Sequence, residues 1–236
     1  MQPYFVWRGV DSRDVGLLIS QLPDIVRPAE RVESVTILGR AGSLQIAEDD
    51  AVYDSYVKKC VVTVMPNADY RVVLQWLTGA GQVIFSNEPE RVYDAQIISQ
   101  IDYTRLHVGT GLRQGSVEFL VQPFKHRFPV PNQLIAATQD GTITNIGDVR
   151  IFPKLYVRGM GAGVVTINGA NILVDGYTGG YGWTIDGATK TAYNAAGESV
   201  MSRITGDFPV FNVGENPITW DNAIDGVSYL PDWLYL

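Results

Sequence analysis

Apolar and polar positions along this chain group into short β-type runs closed by Gly, Pro or Asn. Ser34-Val35-Thr36-Ile37-Leu38 stops at Gly39, and Cys60-Val61-Val62-Thr63-Val64 is closed by Pro66. Gln82-Val83-Ile84-Phe85, Ala95 to Ile101 with its partial alternation, and Ser116 to Val121 follow the same form. Branched and aromatic residues between turn formers predict strands. One stretch has a different period. Val72, Val73, Trp76 and Leu77 recur at helical spacing, Asn67 is placed to cap the start, and Gly79 follows as a stop. The apolar face of this helix, with Trp76 as its anchor, is expected to cover the sheet.

The pattern breaks between Pro123 and Pro131, where Phe128-Pro129-Val130-Pro131-Asn132 blocks both a helix and a central strand because proline has no amide donor. A linker is expected here, dividing the chain into domains 1–128 and 129–236. Past it the composition shifts, with 15 of the 24 glycines in the second part. Lys154 to Val157, Val164 to Ile167 and Ile172 to Val174 read as short strands, with Asn168-Gly169 as a hairpin turn. This half is expected to be a β-sandwich. The fold class is therefore mainly β with one helix.

Composition narrows what such a chain does. Of 236 residues, 46% are apolar and 18% charged, which suits folded domains with their own cores. No apolar run approaches the roughly 18 residues that span a bilayer, so no membrane insertion is expected. Pro3 to Trp7 is too short for a signal-peptide core and is followed by Arg8 and Asp11, so synthesis and folding in the cytoplasm are expected. The lone Cys60 has no partner for an intrachain disulfide and reads as a buried inert thiol. The net charge of −7 divides into −2 over residues 1–128 (13 basic, 15 acidic) and −5 over 129–236 (5 basic, 10 acidic). Neither part offers the clustered basic residues that specific nucleic-acid binding needs.

No catalytic residue, metal ligand set or cofactor site is expected from the sequence. Gly159-Met160-Gly161-Ala162-Gly163 is followed by a strand and a turn, so no helix N-terminus is available for a pyrophosphate, and a β-turn is expected. Gly187-Ala188-Thr189-Lys190-Thr191 lacks the glycine before lysine that a phosphate loop requires. His107, His126 and Cys60 lie in three separate segments without ligand spacing, and exposed loop positions are expected for both histidines. No Gly-x-Ser-x-Gly turn is present. In Tyr177-Thr178-Gly179-Gly180-Tyr181-Gly182-Trp183, the rings of Tyr177, Tyr181 and Trp183 either stack on sugars or pack over their own sheet.

Several segments taken in order carry a more specific signal. Asp14-Val15-Gly16-Leu17, Gly39-Arg40-Ala41-Gly42, Trp76-Leu77-Thr78-Gly79-Ala80-Gly81, Phe85-Ser86-Asn87-Glu88-Pro89, Tyr93-Asp94-Ala95 and Gly115-Ser116-Val117-Glu118-Phe119 before Pro123-Phe124 run through the first half. Asn145-Ile146-Gly147, Pro153, Val157-Arg158-Gly159, Gly206-Asp207-Phe208-Pro209 and Gly214-Glu215-Asn216 continue through the second. This succession resembles the phage distal tail protein family, also called the siphovirus tail component family. Asn87 departs from the pattern at a position where Asp is usual, and the second half has no room for an inserted carbohydrate-binding module.

The resemblance implies a tail-tube-like β-barrel or sandwich with one helix over 1–128 and a galectin-like β-sandwich over 129–236. It implies a non-enzymatic structural protein of the virion tail tip or baseplate, assembled in the host cytoplasm. Its N-terminal domains would close a homo-hexameric ring between the tail tube protein and the tail hub or tip protein. That ring would surround the tape-measure protein and a channel through which DNA passes without specific binding, and would carry receptor-binding proteins. Acidic channel-lining residues would keep DNA from adhering, within a screening length of about 8 Å. For Gly39, Arg40 and Gly42 two readings stand, a subunit-contact loop and an intradomain turn with Arg40 solvated or paired internally. The alternative function is a carbohydrate-binding host-adhesion module using the Tyr177, Tyr181 and Trp183 loop.

Overall fold

The structure, a computed structural model, describes residues 2–46, 52–105, 109, 111–176 and 182–236. The chain separates into two compact units, 1–128 with residue 236, and 129–235. The first unit contains β1 (Phe5–Trp7), β2 (Val10–Asp11), β3 (Leu17–Gln21), β4 (Glu33–Thr36), β5 (Ser43–Ile46), β6 (Tyr56–Val64), α1 (Tyr70–Trp76), β7 (Ala80–Phe85), β8 (Arg91–Ile97), β9 (Thr104–Arg105) and β10 (Arg113–Arg127). Its main sheet is antiparallel in the order β2-β1-β7-β8-β10-β6-β3, with β9 also against β10.

Alternation along these strands turns one face inward. Cys60, Val62 and Val64 of β6, Val83 and Phe85 of β7, and Val117, Phe119 and Val121 of β10 are buried together. Phe119 on β10 meets both Phe5 at 5.5 Å and Trp7 at 5.4 Å between ring centroids, although β1 and β10 are three strands apart. Such contacts are possible only if the sheet curls over its own core. The helix α1 closes this core through Val73 and Leu77, and Trp76 stacks on Phe5 with ring planes 3° apart.

Three expectations are corrected here. The N-cap of α1 is Asp69, whose carboxylate accepts from the Arg71 amide at 2.9 Å, and not Asn67. Val72 is exposed, because a helix this short buries only the stripe carrying Val73 and Leu77. And β10 runs through Pro123 to Arg127, with a register shift between Val121 and Lys125 that accommodates the proline at a bulge. Cys60 is fully buried, and desolvation pushes its thiol up to about 12.

The second unit contains β11 (Ile135–Ala136), β12 (Gly141–Asn145), β13 (Lys154–Gly159), β14 (Gly163–Ile167), β15 (Ala170–Val174), β16 (Trp183–Asp186), β17 (Thr191–Asn194), β18 (Ile204–Gly206), β19 (Gly214–Trp220) and β20 (Ile224–Tyr229). They form two antiparallel sheets, β11-β20-β13-β16-β17 and β12-β19-β14-β15-β18. Leu155, Val157, Ile185 and Val227 of the first meet Ile143, Val165, Ile172 and Ile218 of the second in one core, which defines a β-sandwich. Asn168 and Gly169 link β14 to β15 with φ of 52° and 82°, the positive pair that a two-residue hairpin turn requires.

The glycine cluster at 159–163 is the passage from one sheet to the other, since β13 and β14 belong to different sheets. A Cβ on Gly159 would lie 2.5 Å from the Ala223 carbonyl oxygen, so glycine is required by close approach of backbone and not by a ligand. Gly159→Ala is expected to destabilise the chain by about 1–3 kcal/mol, read as a lower denaturant midpoint at unchanged slope.

Candidate functional site: a free-standing hairpin and its root

Between β3 and β6 the chain leaves the main sheet and comes back as an arm. Its outgoing and returning strands are joined near the root by an antiparallel bridge between Glu30 and Tyr53, with the Arg31 amide donating to Val52 O at 2.6 Å. Arg31 and Asp54 form an ion pair across the same ribbon. Tyr53 packs edge-on against Phe124, 5.7 Å between centroids, and so ties the returning strand to β10. Further out, β4 and β5 pair only with each other among the described residues.

The hairpin is unlike the rest of the unit in what it leaves uncovered. Val35 on β4 lies directly opposite Leu44 on β5, so both side chains share one face, and Ile37 continues it. All three are exposed, as are Ile25, Val26 and Val32 nearer the root, and Leu38 at the tip is 101% exposed. A two-stranded hairpin alone in water is marginally stable, and a contiguous exposed apolar surface of this kind marks an interaction site. Gly39 and Gly42, with φ of 85° and 81°, shape the turn at the tip, and Arg40 is exposed between them. The three residues singled out in the sequence as a contact loop are therefore the tip of this hairpin.

A buried ionic cluster underlies the root. Lys58 of β6 is 2% exposed and Lys125 of β10 is also buried. Both ammonium groups share the Glu88 carboxylate, Lys125 at 3.0 Å and Lys58 at 3.6 Å, and the Tyr93 hydroxyl donates to the same carboxylate. The Lys58 Nζ also stands 4.8 Å from the Tyr93 ring centroid. Its remaining donor goes to the arm, at 2.8 Å from the Asp24 carbonyl oxygen. Beside it, Asn87 Nδ2 donates to the Pro23 carbonyl oxygen at 2.9 Å.

Burial pushes the Glu88 carboxyl up. The hydrogen bonds from Tyr93 and Lys125 and the charges of Lys125 and Lys58 more than offset this, and leave it below the usual range. Burial holds the Lys58 ammonium below its ordinary value, with Glu88 opposing. Tyr93 is pushed far up by burial and by Glu88, so its phenol remains a donor.

The other residues singled out in the sequence are placed differently. Trp183 begins β16, is 8% exposed and belongs to the sandwich core. Tyr177 and Tyr181 lie outside the described residues, as does His107. His126 is not in a loop but in β10, with Nε2 3.1 Å from the Asp94 carboxylate. Gly187 to Lys190 form the turn between β16 and β17, where Asp186 accepts from the Ala188 and Thr189 amides, and Thr191 begins β17. Among the described residues no group of three or more His, Cys, Asp or Glu is placed to hold a metal ion.

This mainly β fold, a curled antiparallel sheet closed by one helix and a two-sheet sandwich, is matched among solved structures. Over the full length of both chains the structure is similar to the Dit protein of phage SPP1, described as a paradigm of the hub adsorption apparatus in phages infecting Gram-positive bacteria, with a TM-score of 0.76 at 13% identity. A chain of the phage p2 baseplate in its activated conformation matches with a TM-score of 0.50 at 8% identity, covering 97% of each chain. No family model matches the sequence, and no curated protein does.

Because the Glu88 carboxyl titrates lower in the folded protein than unfolded, its contribution to stability is complete above about pH 4.3 and is lost as the pH falls through the folded value. Glu88→Gln leaves two buried ammonium groups without their counter-charge. We expect it to cost about 3–5 kcal/mol at pH 7 in denaturant unfolding and to flatten the loss of stability on acidification.

Proposed function

We propose that this protein is a non-enzymatic structural hub subunit of a long-tailed phage's tail tip, closing a homo-hexameric ring through its first unit. The reading is carried by the fold likeness to the SPP1 hub protein over the whole of both chains. The free-standing hairpin supports it from this chain's own residues, since Val35, Ile37, Leu38 and Leu44 are left exposed among the described residues and present an apolar face to a partner. A second copy is that partner. Each copy would lay its hairpin on the next, a head-to-tail contact that closes on itself when the rotation per subunit fits the ring. A durable contact of this kind buries on the order of 1,600 Å².

In this reading residues 1–128 build the ring, with Gly39, Arg40 and Gly42 at the contact, and residues 129–236 form a galectin-like docking domain. The ring joins the tail tube protein to the tail hub or tip protein and to receptor-binding proteins. It surrounds the tape-measure protein and the DNA channel, in the virion tail tip, after assembly in the host cytoplasm. The acidic net charge of −7 per copy suits a passage that DNA crosses without adhering. Burial of Trp183 counts against the sugar-binding alternative.

Leu38→Asp tests the ring at the tip. The side chain is fully exposed in the subunit, so its replacement is expected to change unfolding stability by no more than about 0.5 kcal/mol. Light-scattering mass measurement at micromolar concentration is expected to show the hexamer for the native chain and smaller species for the variant. An unchanged hexamer in the variant would remove the hairpin from the contact.

A further inference from the structure

We infer that the turn Ser86-Asn87-Glu88, acting with Lys58, is a latch that fixes the direction in which the arm leaves the sheet, and that Asn87 is the positioning residue specific to this task. The inference rests on the proposed role of the arm in the ring, but the latch itself is read from the subunit alone.

Each residue of the turn is committed to a different element. Ser86 exchanges hydrogen bonds with Tyr4, its amide donating to Tyr4 O at 2.9 Å and its hydroxyl accepting from Tyr4 N at 3.0 Å, which pins the turn to the strand end before β1. Glu88 pins it to β6 and β10 through Lys58 and Lys125. Asn87, between them, reaches out to Pro23 O, and Lys58 to Asp24 O. Two consecutive carbonyls of the outgoing arm are thus held by two donors that are themselves rigidly held.

Polar contacts carry this attachment because packing there is open. A cavity of about 250 Å³ lies between the arm and the sheet, lined by Gln21 to Asp24, Val26, Val57 to Lys59 and Val61. Ile25 is largely open to solvent, and Val26 is 41% exposed. Pro23 has no amide to offer and is held through its carbonyl, so only a donor can serve opposite it. That accounts for asparagine at 87. An aspartate there would present a second acceptor to the Pro23 carbonyl and lose the bond, whereas the amide can donate.

The test is Asn87→Asp, at an exposed turn position where folding is not at stake, read by hydrogen exchange on the full chain. Loss of the latch is expected to speed exchange about five- to tenfold in residues 22–32, with β8 and β10 unchanged. Lys58→Met, which keeps the stem volume and removes both the donor to Asp24 and the ion pair with Glu88, should speed exchange in 22–32 as well, together with β6. Unchanged exchange in 22–32 for both variants overturns the latch, and so does a uniform rise across the whole first unit, which would mean a merely structural role. Faster arm exchange with an undiminished hexamer supports the latch while counting against the arm as the ring contact. Faster exchange with loss of the hexamer supports both.

Discussion

A single carboxylate, Glu88, has to serve two buried ammonium groups at once, and the first unit is organised around that shortage of negative charge. Lys58 and Lys125 come from neighbouring strands β6 and β10, so one anion from the turn after β7 ties together three parts of the sheet. Removing ions from water is costly, and replacing such a group with apolar side chains often stabilises a protein. What the ionic group adds is direction. Lys58 retains a donor that Glu88 does not use, and it spends that donor on the arm. The same charges give the arm a defined root.

The two units use their polar side chains to different ends. In the sandwich, Asn216 is buried and donates to the carbonyls of Asn212 and Gly214 while accepting from the Asn212 amide and from Asn168. Asn145 likewise clasps Val149 and Phe211. These motif residues are absorbed by the fold and leave nothing over. In the first unit, residues 31–44 keep their described side chains exposed, and the apolar face of β4 and β5 stays open. The arm therefore carries an apolar face that is open to a partner.

Much of the β architecture is legible along the chain because burial on one face writes itself as alternation. Cys60 to Val64, Ser116 to Val121 and the Asn168-Gly169 turn are examples, each with side chains that water would penalise on the wrong face. The arm is not legible in this way. Ser34 to Leu38 carries the same branched residues as a core strand, and sequence pattern does not distinguish a strand whose face is covered by its own chain from one whose face is left open. Trp183 illustrates the converse, since an indole that follows a glycine-rich loop has both a platform and a core reading until its neighbours are placed. The cap at Asp69 and the passage of β10 through Pro123 were hidden for a simpler reason. Each depends on hydrogen bonds, two residues along the chain in one case and across the sheet in the other, and not on hydrophobic period.

Asn87 links these levels. In a ring of identical subunits every contact must repeat one rotation, about 60° for six copies, and a head-to-tail contact that misses this angle grows into an open helix. An arm on a slack root could reach a neighbour at many angles and would select none. Holding two successive carbonyls, Pro23 and Asp24, fixes both the position and the heading of the outgoing chain, which one bond could not do. In the proposed assembly the geometry of closure would thus be set inside each subunit, by a lysine without a full counter-charge and an amide where a carboxylate would fail, before any neighbour arrives.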